Sequence, residues 1–218
     1  MSILSLTDIS YQVEQRQILN KVNLEVQAGD FLTLTGPSGG GKSTLLKIIA
    51  SLISPSDGEI IFQGQNQRDY EITTYRQLVS YCFQQPSLFG QTVADNLQFP
   101  FVIRNEASSQ VQIEQALTKV NLPTSYLNKN ITELSGGEKQ RVALLRNTMF
   151  LPKILLLDEV TVGLDARSIE IVHQFIKQLW QEAGLTIIQI THNQAELSQA
   201  AKVLWLEEGS LSDVTTSR

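Results

Sequence analysis

Gly36-Pro37-Ser38-Gly39-Gly40-Gly41-Lys42-Ser43-Thr44 is the stretch from which this chain is read. It follows the alternating run Phe31–Thr35 (FLTLT) and leads into Leu45, Leu46, Ile48 and Ile49, so it joins a strand to an apolar helix. In that context the pattern G-x-x-x-x-G-K-[ST] is a phosphate-binding loop. Glycines let successive backbone N–H groups turn inward on one phosphate, and the helix N-terminus adds a favourable dipole. Lys42 is the counter-charge for β- and γ-phosphates, and Ser43 offers a hydroxyl to Mg²⁺. The expected ligand is Mg²⁺-ATP, and the expected reaction is its hydrolysis.

A metal-bound triphosphate needs a second carboxylate-bearing strand end. Ile154-Leu155-Leu156-Leu157-Asp158-Glu159 supplies one, four apolar residues followed by two acids. Asp158 is expected to hold Mg²⁺, directly or through water, and Glu159 to orient or deprotonate the attacking water. Ligands of open α/β sheets bind at this carboxyl edge. Further short strands are expected at Gly58–Phe62, Thr186–Ile190 and Val203–Leu206. Runs apolar on both sides suit a parallel sheet covered on both faces.

A helix is expected from Ala166 to Trp180, with Ile169, Val172, Ile176 and Leu179 on one stripe and Asp165 as its cap. The Gln- and Asn-rich middle shows helical patterning at Val111–Val120 and Glu138–Thr148. The expected division is an α/β core over 1–85 and 151–218, with a helical subdomain inserted over 86–150.

Composition limits the alternatives. The 218 residues are 42% hydrophobic, enough for one substantial core. The longest apolar runs, such as Ile154–Leu157, fall far short of the roughly 20 residues of a membrane span. Met1–Ser5 lacks the features of a signal peptide, so a cytoplasmic location is expected. A net charge of −5 argues against a nucleic-acid partner. Cys82 is the sole cysteine, which excludes an internal disulfide and reads as a small buried hydrophobe beside Tyr81 and Phe83.

Leu134-Ser135-Gly136-Gly137-Glu138-Lys139-Gln140-Arg141 is, taken alone, a helix capping box formed by Ser135 and Glu138. Lying between the phosphate loop and Asp158, it resembles the signature sequence of ABC-type ATPases. Gln84 resembles the Q-loop glutamine, with Gln85 a competing candidate. Val162-Gly163-Leu164-Asp165 resembles the D-loop, although Val162 stands where serine is usual. Thr191-His192 resembles the switch histidine at a strand end, and Tyr11 the aromatic that stacks on adenine.

The resemblance implies a P-loop NTPase (RecA-like) core of mostly parallel strands, an N-terminal antiparallel β subdomain and the inserted helical subdomain. It implies catalytic roles for Glu159, His192, Gln84 and Lys42, and a metal set of Ser43, Gln84 and Asp158. It also implies a second copy of the chain, head to tail, whose ATP is met by Ser135, Gly136 and Gly137. A polytopic membrane permease would dock near the Q-loop, leaving this chain peripheral on the cytoplasmic side. Within the family, Lys47–Pro55, Tyr81–Gly90, Asn96–Asn105 and Asn130–Asn147 look closest to the ATPases of Fet-type iron exporters. Leu88-Phe89 followed by Thr92-Val93-Ala94-Asp95-Asn96 is similar to the exporter style. Leu88, Phe89, Phe99, Pro100 and Phe101 either line a groove for that permease or fill the subdomain's own core. The alternative function is a soluble ABC ATPase of an assembly machine, such as iron–sulfur cluster assembly.

Overall fold

Two long strands open the chain, and their buried side chains lie on the face that a period of two gives each regular stretch. In the computed structural model, which describes residues 2–214, β1 (Ser2–Val13) and β2 (Arg16–Gln27) pair antiparallel. Leu4, Leu6 and Ile9 of β1 and Leu19, Val22, Leu24 and Val26 of β2 turn into the core. Chain order continues with β3 (Phe31–Thr35), α1 (Lys42–Ile49), β4 (Asp57–Phe62), β5 (Gln65–Asn66), α2 (Ile72–Leu78) and β6 (Val79–Cys82). Next come α3 (Val93–Val102), α4 (Gln110–Lys119) and α5 (Gly136–Thr148). The chain then runs through β7 (Ile154–Asp158), α6 (Ala166–Ala183), β8 (Thr186–Ile190), α7 (Gln194–Gln199), β9 (Lys202–Glu207) and β10 (Ser210–Val214).

These elements divide into two units. The first comprises the described residues up to Tyr81, Pro152–Glu159, and those from Gly184 onward. It carries an antiparallel sheet in the order β2-β1-β4-β5 and a sheet in the order β10-β9-β3-β8-β7-β6. In the larger sheet β9, β3, β8 and β7 run parallel, and β10 returns antiparallel. Every residue of β7 is buried, as expected for a strand covered on both faces. α1 places Leu45, Leu46, Ile48 and Ile49 in one core with Leu4, Phe62, Leu156 and Ile188. Each of those side chains contributes about 1.5–3 kcal/mol by leaving water. Parallel direction then puts the carboxyl ends of β3, β8 and β7 along one edge, where the phosphate loop, Thr191-His192 and Asp158-Glu159 begin.

The second unit is Cys82–Leu151 with Val160–Ala183. Its buried side chains include Val93, Leu97 and Phe101 of α3, Ile113 and Leu117 of α4, Val142 and Leu145 of α5, and Val172 and Phe175 of α6. α5 packs against α3, α4 and α6. The contact-defined units differ from the expected division at three places: 82–85, 151 and 160–183, expected with the α/β core, group with the helical unit. For 160–183 the physical reason lies at the start of α6, where Arg141 of α5 donates to Ser168 at 2.9 Å. The Asp165 cap is present, accepting from the Ser168 backbone at 3.0 Å.

Cys82 lies 3% exposed at the end of β6, and Asn147 donates to its sulfur at 3.1 Å. Burial pushes its thiol up to about 11, so little thiolate exists at pH 8. The folded protein is expected to resist iodoacetamide at pH 8 and to take up one equivalent in urea. Complete alkylation of the folded chain within minutes would contradict this placement.

Candidate active site

The phosphate loop is shaped by how closely its backbone approaches neighbouring strands. Gly36 has φ 134, and a Cβ there would collide with the carbonyl oxygen of Leu206 in β9. Gly41, at φ 97, would place a Cβ 2.8 Å from the Ile18 carbonyl and from Leu19 Cδ2 of β2. Side chains are thus excluded at both ends of the turn, for steric and conformational reasons. Pro37, Ser38 and Gly39 form its exposed crest; Gly40, Ser43 and Thr44 are half-buried.

Lys42 is 5% exposed, and its Nζ donates to the carbonyls of Gly36 at 2.9 Å and Pro37 at 2.8 Å. Burial pulls the ammonium below the usual lysine value, against the opposing influence of Glu159 and Asp158. Ser43 opens the same helix and donates from Oγ to Asp158 Oδ1 at 2.9 Å. A hydroxyl and a carboxylate side by side are hard oxygen donors, which suits Mg²⁺ completed by phosphate oxygens and water.

Glu159 follows in the left-handed region at φ 49, a conformation that non-glycine residues seldom adopt and that clusters at functional sites. Its backbone N–H donates to Ile190 O at 3.2 Å, and its Oε1 lies 3.3 Å from His192 Nε2. His192 itself follows β8, anchored where the Thr191 N–H donates to Leu34 O at 3.3 Å. Tyr11 is half-buried and pairs across the sheet with Leu19, the residue packed against Gly41. The first unit therefore brings together the loop 36–44, Asp158, Glu159 and His192, and sets Tyr11 on the sheet that borders the loop.

The remaining candidates belong to the second unit. Gln84 and Gln85 are exposed residues following β6. Ser135 caps α5 with both halves of a capping box: its N–H donates to Glu138 Oε2 at 2.8 Å, and its Oγ accepts from Glu138 N at 3.3 Å. As a hydroxyl, Ser135 keeps its own proton as a further donor. Glu138 is itself braced by Tyr126 at 2.9 Å and by Lys129 at 3.6 Å. Gly136 is open, whereas a Cβ on Gly137 would overlap Ser168 Oγ. Ser168 in turn donates to Asp165 at 2.6 Å, tying the D-loop-like segment to the start of α5.

Tyr81, Ser168, Arg141, Tyr126 and Lys129 are the neighbours that sequence reasoning missed. Ser168 carries a signal, since it stands three residues after a capping Asp; the others carry none without the register of their elements.

The sequence profile of the ABC transporter family matches residues 19–162. The chain belongs to the ABC transporter family. It is 46% identical over 205 residues to the "Probable iron export ATP-binding protein FetA" of Escherichia coli (strain K12), covering 94% of this chain and 91% of that protein. It is also 35% identical to the "Spermidine/putrescine import ATP-binding protein PotA" of Mycoplasma capricolum subsp. capricolum (strain California kid / ATCC 27343 / NCTC 10154). That match covers 99% of this chain but spans only 62% of that protein. Among solved structures, the ABC chain is similar to the dimeric ATP-binding cassette MJ0796 bound to ADP and Pi. The TM-score is 0.88 at 28% identity, covering 96% of this chain and 98% of that one.

Membership makes this an ABC-type ATPase that binds ATP and serves a transporter, with the P-loop NTPase architecture expected. No helix among the described residues is long and apolar enough to cross a membrane.

The loop geometry can be checked by Gly36→Ala. Overpacking at the Leu206 carbonyl should cost about 1–3 kcal/mol, and ATP should raise the variant's Tm far less than the wild type's. A variant that melts and responds to ATP as the wild type does would show that the close approach is wrong.

Proposed function

We propose that this ATPase powers a separate polytopic membrane protein that exports a metal ion, iron foremost, from the cytoplasmic face. The observation that carries direction and cargo is the similarity over 94% of the chain to a protein named for iron export. The import relatives are less similar, at 35% identity for the spermidine/putrescine protein.

In the proposed mechanism the backbone N–H groups of the loop 36–44 and the Lys42 ammonium hold the β- and γ-phosphates. Tyr11 stacks on the adenine. Ser43 and Asp158 would hold Mg²⁺. When bound, the cation would supply charge neutralisation to the nucleotide's phosphates. Glu159 accepts a proton from the attacking water as oxygen bonds to the γ-phosphorus and the bond to the β-phosphate oxygen breaks. His192, 3.3 Å from Glu159, orients that carboxylate.

A second copy completes each site. The free N–H groups at the start of α5, with Ser135, Gly136 and Gly137, meet the γ-phosphate bound by the partner. Support comes from a helix start already capped in the single chain, where Tyr126, Lys129 and Glu138 hold the Ser135 cap. The dimeric arrangement of the MJ0796 cassette supports the same reading.

The proposed permease contact is an exposed apolar surface in the helical unit. Phe89 and Phe99 are 37% and 40% exposed and stack edge to face with centroids 4.5 Å apart. Leu88 is half-buried, whereas Pro100 and Phe101 fill the unit's own core. Of the five residues read from the sequence, Phe89 and Phe99 therefore supply the exposed surface. The backbone carrying Phe89 is held in place. Asn96 and Arg146 clamp the loop, donating to Phe89 O at 2.8 Å and Ser87 O at 2.8 Å respectively. A coupling segment rich in apolar side chains would cover this patch.

Three outcomes are expected. Glu159→Gln retains ATP binding, loses most turnover and accumulates as an ATP-bound dimer on size-exclusion chromatography; near wild-type hydrolysis would exclude Glu159 as the base. Phe89→Asp loses co-purification of the permease while its Tm shifts little, since Phe89 is part-exposed and its contact with the Arg146 guanidinium, 5.0 Å from the ring centroid, is worth roughly 0.5–1 kcal/mol; retained capture would remove Phe89 from the docking surface. Deleting the gene raises cellular iron, measured by elemental analysis, and unchanged metal content and tolerance would count against metal export.

A further inference from the structure

Asp158 accepts two hydrogen bonds, one on each oxygen. Ser43 Oγ donates to Oδ1 at 2.9 Å, and the Tyr81 hydroxyl donates to Oδ2 at 2.5 Å. Both partners of the second bond are buried, Tyr81 at 8% and Asp158 at 6% exposure. Tyr81 stands on β6, the strand beside β7 in the sheet, and the Asp158 backbone is fixed in turn by pairing with Ile190 of β8. Three elements of one unit, β6, β8 and α1, thus converge on a single carboxylate.

An unrestrained aspartate has a broad, two-fold torsion about its terminal bond and can exchange its oxygens. With Oδ2 committed to a phenol, that exchange is stopped. We propose that Tyr81 is a positioning residue for the metal half of the site. It engages Oδ2, so that Oδ1 is the oxygen presented with the Ser43 hydroxyl to the divalent cation of the nucleotide. The inference rests on the assignment of Asp158 and Ser43 as cation ligands made above. An ordinary core aromatic would need no hydroxyl here, and phenylalanine would fill the same space.

The test is Tyr81→Phe beside Asp158→Asn, with Mn²⁺ as the probe. Binding of N-methylanthraniloyl-ATP is measured in EDTA, and Mn²⁺ affinity of the nucleotide-loaded protein by electron paramagnetic resonance. Tyr81→Phe is expected to bind the metal-free nucleotide as the wild type does and to weaken Mn²⁺ about ten-fold, the usual cost of removing such a support. Asp158→Asn should weaken Mn²⁺ further. If Tyr81→Phe keeps Mn²⁺ affinity within about two-fold while Asp158→Asn loses it, the positioning role fails and the ligand assignment stands. If both variants keep it, the ligand assignment fails and takes the inference with it. An equal loss of metal-free nucleotide affinity in Tyr81→Phe would indicate a packing role and overturn the proposal. Tyr81→Met, apolar and adaptable, serves the same comparison if the phenylalanine variant is poorly folded.

Discussion

The hydrogen bond from Ser43 to Asp158 joins the first turn of α1 to the end of β7, and much of the first unit exists to hold that pair in register. α1 is fixed by four fully buried apolar side chains, Leu45, Leu46, Ile48 and Ile49. β7 is fixed by burial of all its residues and by its ladder with β8. Neither element can shift by a residue without exposing apolar surface worth several kcal/mol. The phosphate loop inherits its position from the same frame, because Gly36 and Gly41 are pressed against β9 and β2. A phosphate cradle formed by backbone depends on that rigidity: its N–H groups act as a fixed dipole array only if they need not reorganise.

The second unit applies the same economy to a different surface. α5 begins at a capping box that satisfies two donors reciprocally, leaving other N–H groups of its first turn without intrahelical partners. Tyr126 and Lys129 brace Glu138, and the Ser168 bridge ties Arg141 to Asp165. The segment holding Val162 is therefore anchored at Asp165 although Val162 itself is 52% exposed. Asn96 and Arg146 do for Phe89 what Glu138 does for Ser135: buried or half-buried polar groups hold a side chain outward.

What was legible in the sequence follows from which signals are local. The loop 36–44 is legible because a glycine pattern and its flanking strand and helix occupy consecutive residues. The parallel strand Phe31–Thr35 is legible from its alternation before the glycines, and Ile154–Leu157 and Thr186–Ile190 from short apolar runs. The Ser135–Glu138 and Asp165 caps are legible at fixed offsets. Strand order is not, since β8 enters between β3 and β7 from a distant part of the chain. The grouping of 160–183 with the helical unit was equally hidden, because it rests on contacts such as Arg141 to Ser168 rather than on composition. In the sequence Tyr81 stands only as an aromatic neighbour of Cys82. Only the register that aims its hydroxyl at Asp158 distinguishes it. In the apolar set Leu88, Phe89, Phe99, Pro100 and Phe101, hydrophobicity is uniform but exposure is not. What separates Phe89 from Phe101 is the polar clamp of Asn96 and Arg146, a tertiary feature.

The central claim is that ATP is held between the phosphate loop of one copy and the α5 terminus of another. The most direct measurement is a structure of the Glu159→Gln protein with Mg²⁺-ATP. The account predicts a head-to-tail dimer in which Ser135 Oγ of one chain lies within hydrogen-bond distance of the γ-phosphate held by the partner's loop 36–44. ATP bound at that loop with Ser135 of the second copy remote from it would contradict the account.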